Sequence, residues 1–186
     1  MCGDKMRILL LCGASGVGKS SIAYEICKNS NYFLVKSYTD RPKRKDDLDH
    51  IYVPTEEIGF FPIKDVVAFT KIAGYTYCTL SDSFVEDKIN VYVVDKPGMD
   101  QVKRFFPDAH IVSVLITRKN VYIDDKRKKR NIIVPKKEDV TFCIQNDVSV
   151  KLSADLIKEI LQTMLIYEGN NVSIEKNIKT FDENNR

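Results

Sequence analysis

Apolar residues along this chain gather in short runs rich in β-branched and aromatic side chains, with little of the alternation that marks a strand facing water on one side. The runs are "RILLL" at Arg7–Leu11, "YFLVKS" at Tyr32–Ser37, "VYVVD" at Val91–Asp95, "IVSVLIT" at Ile111–Thr117 and "TFCIQN" at Thr141–Asn146. Strands that are apolar on both faces suit a buried parallel sheet. Helical periodicity predicts helices over Lys19–Asn29, over Gly98–Phe106 with Pro97 at its start, and over Ser153–Glu168. In the last, Leu156, Ile157, Ile160, Leu161, Met164 and Leu165 form an i, i+3, i+4 stripe behind a Ser153 cap. Strand and helix alternate, which predicts an α/β, doubly wound fold around a parallel five-stranded sheet.

Two segments interrupt the alternation. Residues 38–88 carry turn residues and short mixed patterns and read as a small inserted subdomain, while 118–137 is dense in charge and reads as a short lid. One domain over 1–170 is therefore expected, with its core in 1–37, 89–117 and 138–170, followed by a polar tail over 171–186.

The chemistry starts in the loop after the first strand. Residues 13–20, "GASGVGKS", satisfy G-x-x-x-x-G-K-[ST] between a predicted strand and a predicted helix. Glycines let successive N–H groups turn inward, the helix N-terminus adds positive potential, Lys19 reaches the outer phosphates and the Ser20 hydroxyl can ligate Mg²⁺. Gly13, Ser15, Gly16, Val17, Gly18, Lys19, Ser20 and Ser21 are thus the expected cradle for ATP, in a P-loop NTPase fold. Kinases, GTPases, ATPases and sulfotransfer enzymes all share this loop.

A second cationic site follows closely. Arg41 and Arg44 flank Pro42, which fixes the local backbone and can aim both guanidinium forks at one phosphate; the rival reading is a solvated basic turn. Two anion sites so near in sequence suggest a transfer between them. The segment 118–137 contributes "KRKKR", Lys126–Arg130, where Lys126 and Arg130 share a helix face and Arg127 lies beside Arg130. These residues suit a lid that closes over phosphates; a polybasic patch is the alternative.

Composition narrows the setting. Lys and Arg number 29 against 26 Asp and Glu, so the formal charge of +3 is too small to imply a nucleic-acid partner. The five cysteines show neither CxxC pairs nor metal-ligand spacing, which suits free thiols in a reducing, cytoplasmic compartment. No apolar window reaches the length of a membrane span, so no membrane partner is expected.

With these residues in view, the chain resembles the guanylate kinase family. "SYTDRPKRKDDLDHIYV" is similar to that family's S-x-T-T-R-x-P-R-x-G-E-x-D-G-x-D-Y-x-F-V, "GYTYCT" at 74–79 to G-N-Y-Y-G-[ST], "VVDKPG" to L-D-I-D-x-Q-G, and "FCIQND" to Y-V-I-V-N-D. The resemblance runs in order from about residue 7 to 165. It implies transfer of the ATP γ-phosphoryl group to GMP or a related (deoxy)nucleoside monophosphate, with Mg²⁺. Carried over residue by residue, it places Ser37, Arg41, Arg44, His50, Tyr77 and Thr79 on the acceptor and Asn146 near the donor base. It sets Asp95 at the magnesium or acceptor and aligns the family's lid arginines with Lys126 and Arg130; Arg130, with Arg127 beside it, is the expected catalytic pair of the lid. One departure bears on specificity: where the family reads guanine with a glutamate, an ungapped count reaches Ala68, with Asp65 or Asp82 as carboxylates that a register shift would supply. Two alternatives remain: the same fold with a different acceptor, such as a phosphorylated sugar, which Ala68 would permit, and a non-catalytic binding module, against which the intact phosphate loop argues.

Overall fold

Strand β1, Arg7–Gly13, lies at the centre of the molecule and is buried through its middle five residues. The computed structural model describes residues 5–43, 47–121 and 134–169. β1 pairs in parallel with β7, Ile89–Val93, on one side and with β8, His110–Thr117, on the other. β2, Tyr32–Leu34, and β9, Phe142–Gln145, complete a five-stranded sheet of order β2-β7-β1-β8-β9 in which every pairing is parallel.

Because side chains alternate across a strand, β1 feeds two cores. Leu9 and Leu11 pack with Ile22, Ala23 and Ile26 of α1, Lys19–Ile26, and with Ile157 and Leu161 of α4, Val150–Gly169. Ile8, Leu10 and Cys12 pack on the opposite face with Met99 and Val102 of α3, Lys96–Phe105. Helices thus cover both faces, as the apolar runs predict.

The second sheet has four strands in the order β4-β3-β6-β5, drawn from β3, Ser37–Thr39, β4, His50–Tyr52, β5, Val66–Ile72, and β6, Tyr75–Leu80. β3 and β4 run parallel, whereas β6 runs antiparallel to both β3 and β5. The β5–β6 turn places Ala73 and Gly74 at φ of 51° and 85°, the paired left-handed residues of a tight hairpin. A four-residue helix, α2, Thr55–Ile58, follows β4. Gln101 of α3 fastens this sheet to the core: its side-chain amide accepts from Phe69 N at 2.8 Å and donates to Phe69 O at 3.1 Å, acting as one more strand residue.

Several element boundaries differ from the sequence expectation, each for a local reason. The run "YFLVKS" splits, because Val35 makes a last bond to Val91 O before the chain leaves for the second sheet at Ser37. α1 stops at Ile26, not Asn29, and Asn29 Oδ1 instead accepts from Asn31 N in an Asx turn. α3 begins at Lys96 because Asp95 caps it, so Asp95 lies beyond the end of β7. α4 begins at Val150 with Ser149 Oγ accepting from Leu152 N, so the cap is Ser149 and Ser153 lies inside the helix.

Candidate active site

The phosphate loop and the first arginine of the second site open onto one cleft. It encloses about 500 Å³ and is lined from the loop side by Gly13, Gly18, Lys19 and Ser20, and from the second sheet by Arg41, His50, Ala68 and Tyr77. β1 delivers the loop at its C-terminal end, and the chain that follows β3 in the second sheet brings Arg41 to the same cleft.

Glycine is required in the loop for two reasons. Gly16 and Gly18 have φ of 87° and 98°, in the left-handed region that other residues disfavour. At Gly13 (φ 141°) a Cβ would come within 2.3 Å of Ile116 O, so the loop rides directly on the β8 backbone. Lys19 folds over this arch and donates to Gly13 O at 2.9 Å and Ala14 O at 2.7 Å.

Across the cleft is a tight ionic cluster. Arg41 Nη2 donates to Asp47 Oδ2 and, at 3.3 Å, to the Tyr52 hydroxyl. Asp47 Oδ1 is 2.7 Å from His50 Nδ1, which also lies 3.2 Å from Asp49 Oδ1, and the His50 ring meets Tyr77 edge-on. Burial alone would lower the His50 pKa, but the two carboxylates outweigh it and raise it above the ordinary value. Burial likewise opposes ionisation of Asp47, yet bonds from Tyr52 and His50 hold its carboxyl well below the usual range.

The cluster reaches the phosphate loop through Asp49, whose Oδ2 accepts from Ser20 Oγ at 2.8 Å. A hydroxyl and a carboxylate are the hard oxygen donors that Mg²⁺ prefers, so the residues present fit that ion. Asp95 lines the same cleft but is committed on one side, with Oδ1 accepting from Gly98 N at 2.8 Å. Its Oδ2 is buried with no hydrogen-bond partner among the described residues, and burial raises the carboxyl pKa.

No family model matches this chain, but individual proteins do. It is 32% identical to the guanylate kinase of Thermotoga maritima over 120 residues, covering 59% of this chain and 58% of that one. It is 24% identical to the guanylate kinase of Mesoplasma florum across 97% of this chain and 69% of the relative, and 25% identical to that of Thermus thermophilus across 62% and 55%. The chain therefore spans little more than half of the Thermotoga and Thermus relatives. The crystal structure of guanylate kinase from Anaplasma phagocytophilum superposes with a TM-score of 0.66 at 20% identity, covering 88% of both chains. The chain is thus similar in sequence to guanylate kinases and shares their fold.

Within this guanylate kinase-like fold the expected site residues separate into three groups. Gly13, Ser15, Gly16, Gly18, Lys19, Ser20, Ser21, Ser37, Arg41, His50, Tyr77 and Asp95 all line the cleft. Val17, Thr79 and Asn146 are buried behind it. Val17 packs into the α1 core, and its carbonyl accepts from Asn146 Nδ2 at 2.8 Å while Asn146 Oδ1 accepts from Ser153 at 3.0 Å, so the asparagine braces the phosphate loop. Thr79 bonds to Tyr92 OH at 2.7 Å and pairs with Ser37 at 2.8 Å, a buried hydroxyl cluster behind the cleft wall. Arg44, Arg127 and Arg130 lie outside the described residues.

Three further residues had no role in the sequence reading: Asp47, Asp49 and Tyr52. Asp49 matches the family pattern, but nothing in its spacing announces the contact with Ser20. Asp47 and Tyr52 follow Arg41 by six and eleven positions, and only the return of β4 alongside β3 places them on its guanidinium.

Proposed function

We propose that this protein is a nucleoside monophosphate kinase that transfers the γ-phosphoryl group of ATP to GMP or a related (deoxy)nucleoside monophosphate. The observation that carries this reading is the single cleft shared by an intact phosphate loop and a buried arginine on a separate sheet. A lone nucleotide switch has no need of the second cation, whereas phosphoryl transfer needs two phosphates held in line.

In this reading, loop N–H groups and Lys19 hold the donor phosphates, and Lys19 stabilises charge that grows on the transferring group. Ser20, with Asp49 behind it, would hold Mg²⁺, which would supply neutralisation of charge on the donor phosphates. Arg41 and Arg44 fix the acceptor phosphate, His50 and Tyr77 border it, and Arg127 and Arg130 close from the lid. Asp95 presents its open carboxylate oxygen to the acceptor side. Asn146 and Thr79 keep the loop and pocket wall in place.

The base is read loosely. Ala68, Thr70 and Ile72 form the β5 wall of the cleft and offer no carboxylate, and neither Asp65 nor Asp82 lines it. This favours a purine monophosphate site with modest preference for guanine over a strict guanylate kinase. ADP release measured with ATP, Mg²⁺ and each monophosphate in turn tests the proposal: turnover with GMP and, less efficiently, other purine monophosphates is expected. ATP binding without turnover on any acceptor would refute it in favour of a binding module.

A further inference from the structure

Arg41 is already gripped by the protein. Its side chain is 4% exposed, and Asp47 Oδ2 and Tyr52 OH share its Nη2 nitrogen. Its Nε and Nη1 are buried with no hydrogen-bond partner among the described residues. Buried donors left unpaired are costly, and two of them on a cation lining the cleft mark a built anion site.

The geometry of the fork decides how an anion enters. A guanidinium offers two bidentate edges, Nε with Nη2 and Nη1 with Nη2. Nη2 carries one N–H on each edge, and Asp47 Oδ2 and the Tyr52 hydroxyl together occupy that shared corner, so neither edge is open to a bidentate anion. A phosphate arriving while Asp47 stays put gains only single, monodentate bonds. Asp47 also has somewhere to go, since its Oδ1 is already on His50 Nδ1 at 2.7 Å, beside Asp49.

We propose that Asp47 is a resident counter-anion of the acceptor-phosphate site, displaced from Arg41 Nη2 by the incoming phosphate and retained by His50. The proposal rests on reading Arg41 as the acceptor-phosphate ligand. Asp47 is thus a positioning residue that sets acceptor affinity and selectivity. A halide, with one contact to offer, gains nothing by displacing it; a phosphate recovers Nη2 and adds Nε or Nη1. Asp47 also holds the guanidinium in its cleft-facing rotamer between turnovers.

The test measures binding and turnover of the full chain, with the donor site filled by a non-hydrolysable ATP analogue in the binding arm and with GMP and inorganic phosphate as probes. Asp47→Asn should tighten both probes about tenfold, the measure of one charge-assisted bond no longer surrendered. In turnover it should lower KM for the acceptor and leave KM for ATP unchanged. In an Arg41→Ala background the same change should shift affinity less than about twofold. Unchanged or weaker binding in Asp47→Asn, or equal tightening without Arg41, overturns the proposal. Should the variant fail to fold, a wild-type structure with GMP and the ATP analogue decides: Asp47 off Nη2 supports displacement, and Asp47 still seated there refutes it. If GMP fails to bind while inorganic phosphate behaves as expected, the kinase reading falls and the counter-anion stands.

Discussion

Ser20 Oγ donates a 2.8 Å hydrogen bond to Asp49 Oδ2, joining the phosphate-loop serine to the residue that leads into β4, 29 positions away. The contact couples the phosphate loop to the ionic cluster across the cleft, because Asp49 also touches His50 and through it Asp47 and Arg41. Removing Asp49 leaves the Ser20 hydroxyl unoriented. Residues standing behind a metal ligand typically govern affinity by 10- to 100-fold, so Asp49→Ala should raise the Mg²⁺ concentration for half-maximal ADP release about tenfold or more. Mn²⁺ binding followed by paramagnetic resonance in the presence of ATP should weaken in parallel. An unchanged metal requirement would limit Asp49 to a structural link.

Lys19 caps the loop arch through Gly13 O and Ala14 O and is the cation nearest the donor phosphates in the proposed reaction. Lys19→Ala should lower kcat by about two orders of magnitude or more, the usual loss for an electrostatic stabiliser. Steady-state ADP release would show it, and full turnover in the variant would remove the donor-site assignment.

Arg41 and Arg44 are assigned to the acceptor phosphate. Replacing either by Ala should raise KM for the monophosphate more than KM for ATP. Initial rates across a two-substrate grid separate the constants. A change confined to ATP would mean the two sites are reversed.

Ala68 is 3% exposed and lines the cleft, on the wall that borders the base in the proposed reaction. A pocket working by shape alone discriminates about 10- to 200-fold, whereas one that pairs a substrate group can reach roughly 10⁴-fold. Ala68→Glu should therefore sharpen the ratio of kcat/KM for GMP over AMP. Strong GMP selectivity in the unmodified protein would show that another residue reads the base.

Asp40 gives a pH signature in stability. Burial would raise its pKa, but the Thr76 N–H at 2.8 Å and the Thr55 hydroxyl at 2.9 Å outweigh that and hold it below the ordinary value. A lowered folded-state pKa means stabilisation that is present above the unfolded value, near 3.9, and lost as pH falls through the folded one. Asp40→Asn should cost about 1 kcal/mol at pH 7, with a smaller gap at pH 3. Urea unfolding at both pH values measures it, and a gap independent of pH would discount the ionised carboxylate.

The sequence by itself determined the parallel sheet, the helices on its two faces and the phosphate loop. Each is local: a strand buried on both faces must be apolar throughout, and a loop that wraps a phosphate must place glycine, lysine and serine at fixed offsets. The hydrophobic pattern could not decide where the chain changes sheets, because "YFLVKS" is apolar enough for one strand and only the departure after Val35 divides it. Nor could it find the ionic cluster. The spacing of Arg41 and Arg44 suggested an anion site, but the partners of Arg41 depend on β4 returning parallel to β3. Asn146 and Thr79 passed for ligand contacts on motif alone, while their depth was set by packing against Val17 and Tyr92, 129 and 13 positions away. Side-chain type and short spacing are written along the chain. Which buried polar groups satisfy one another is written only when strands distant in sequence are brought within hydrogen-bond reach and shut off from water, where each unmet donor or acceptor must find a partner in the protein.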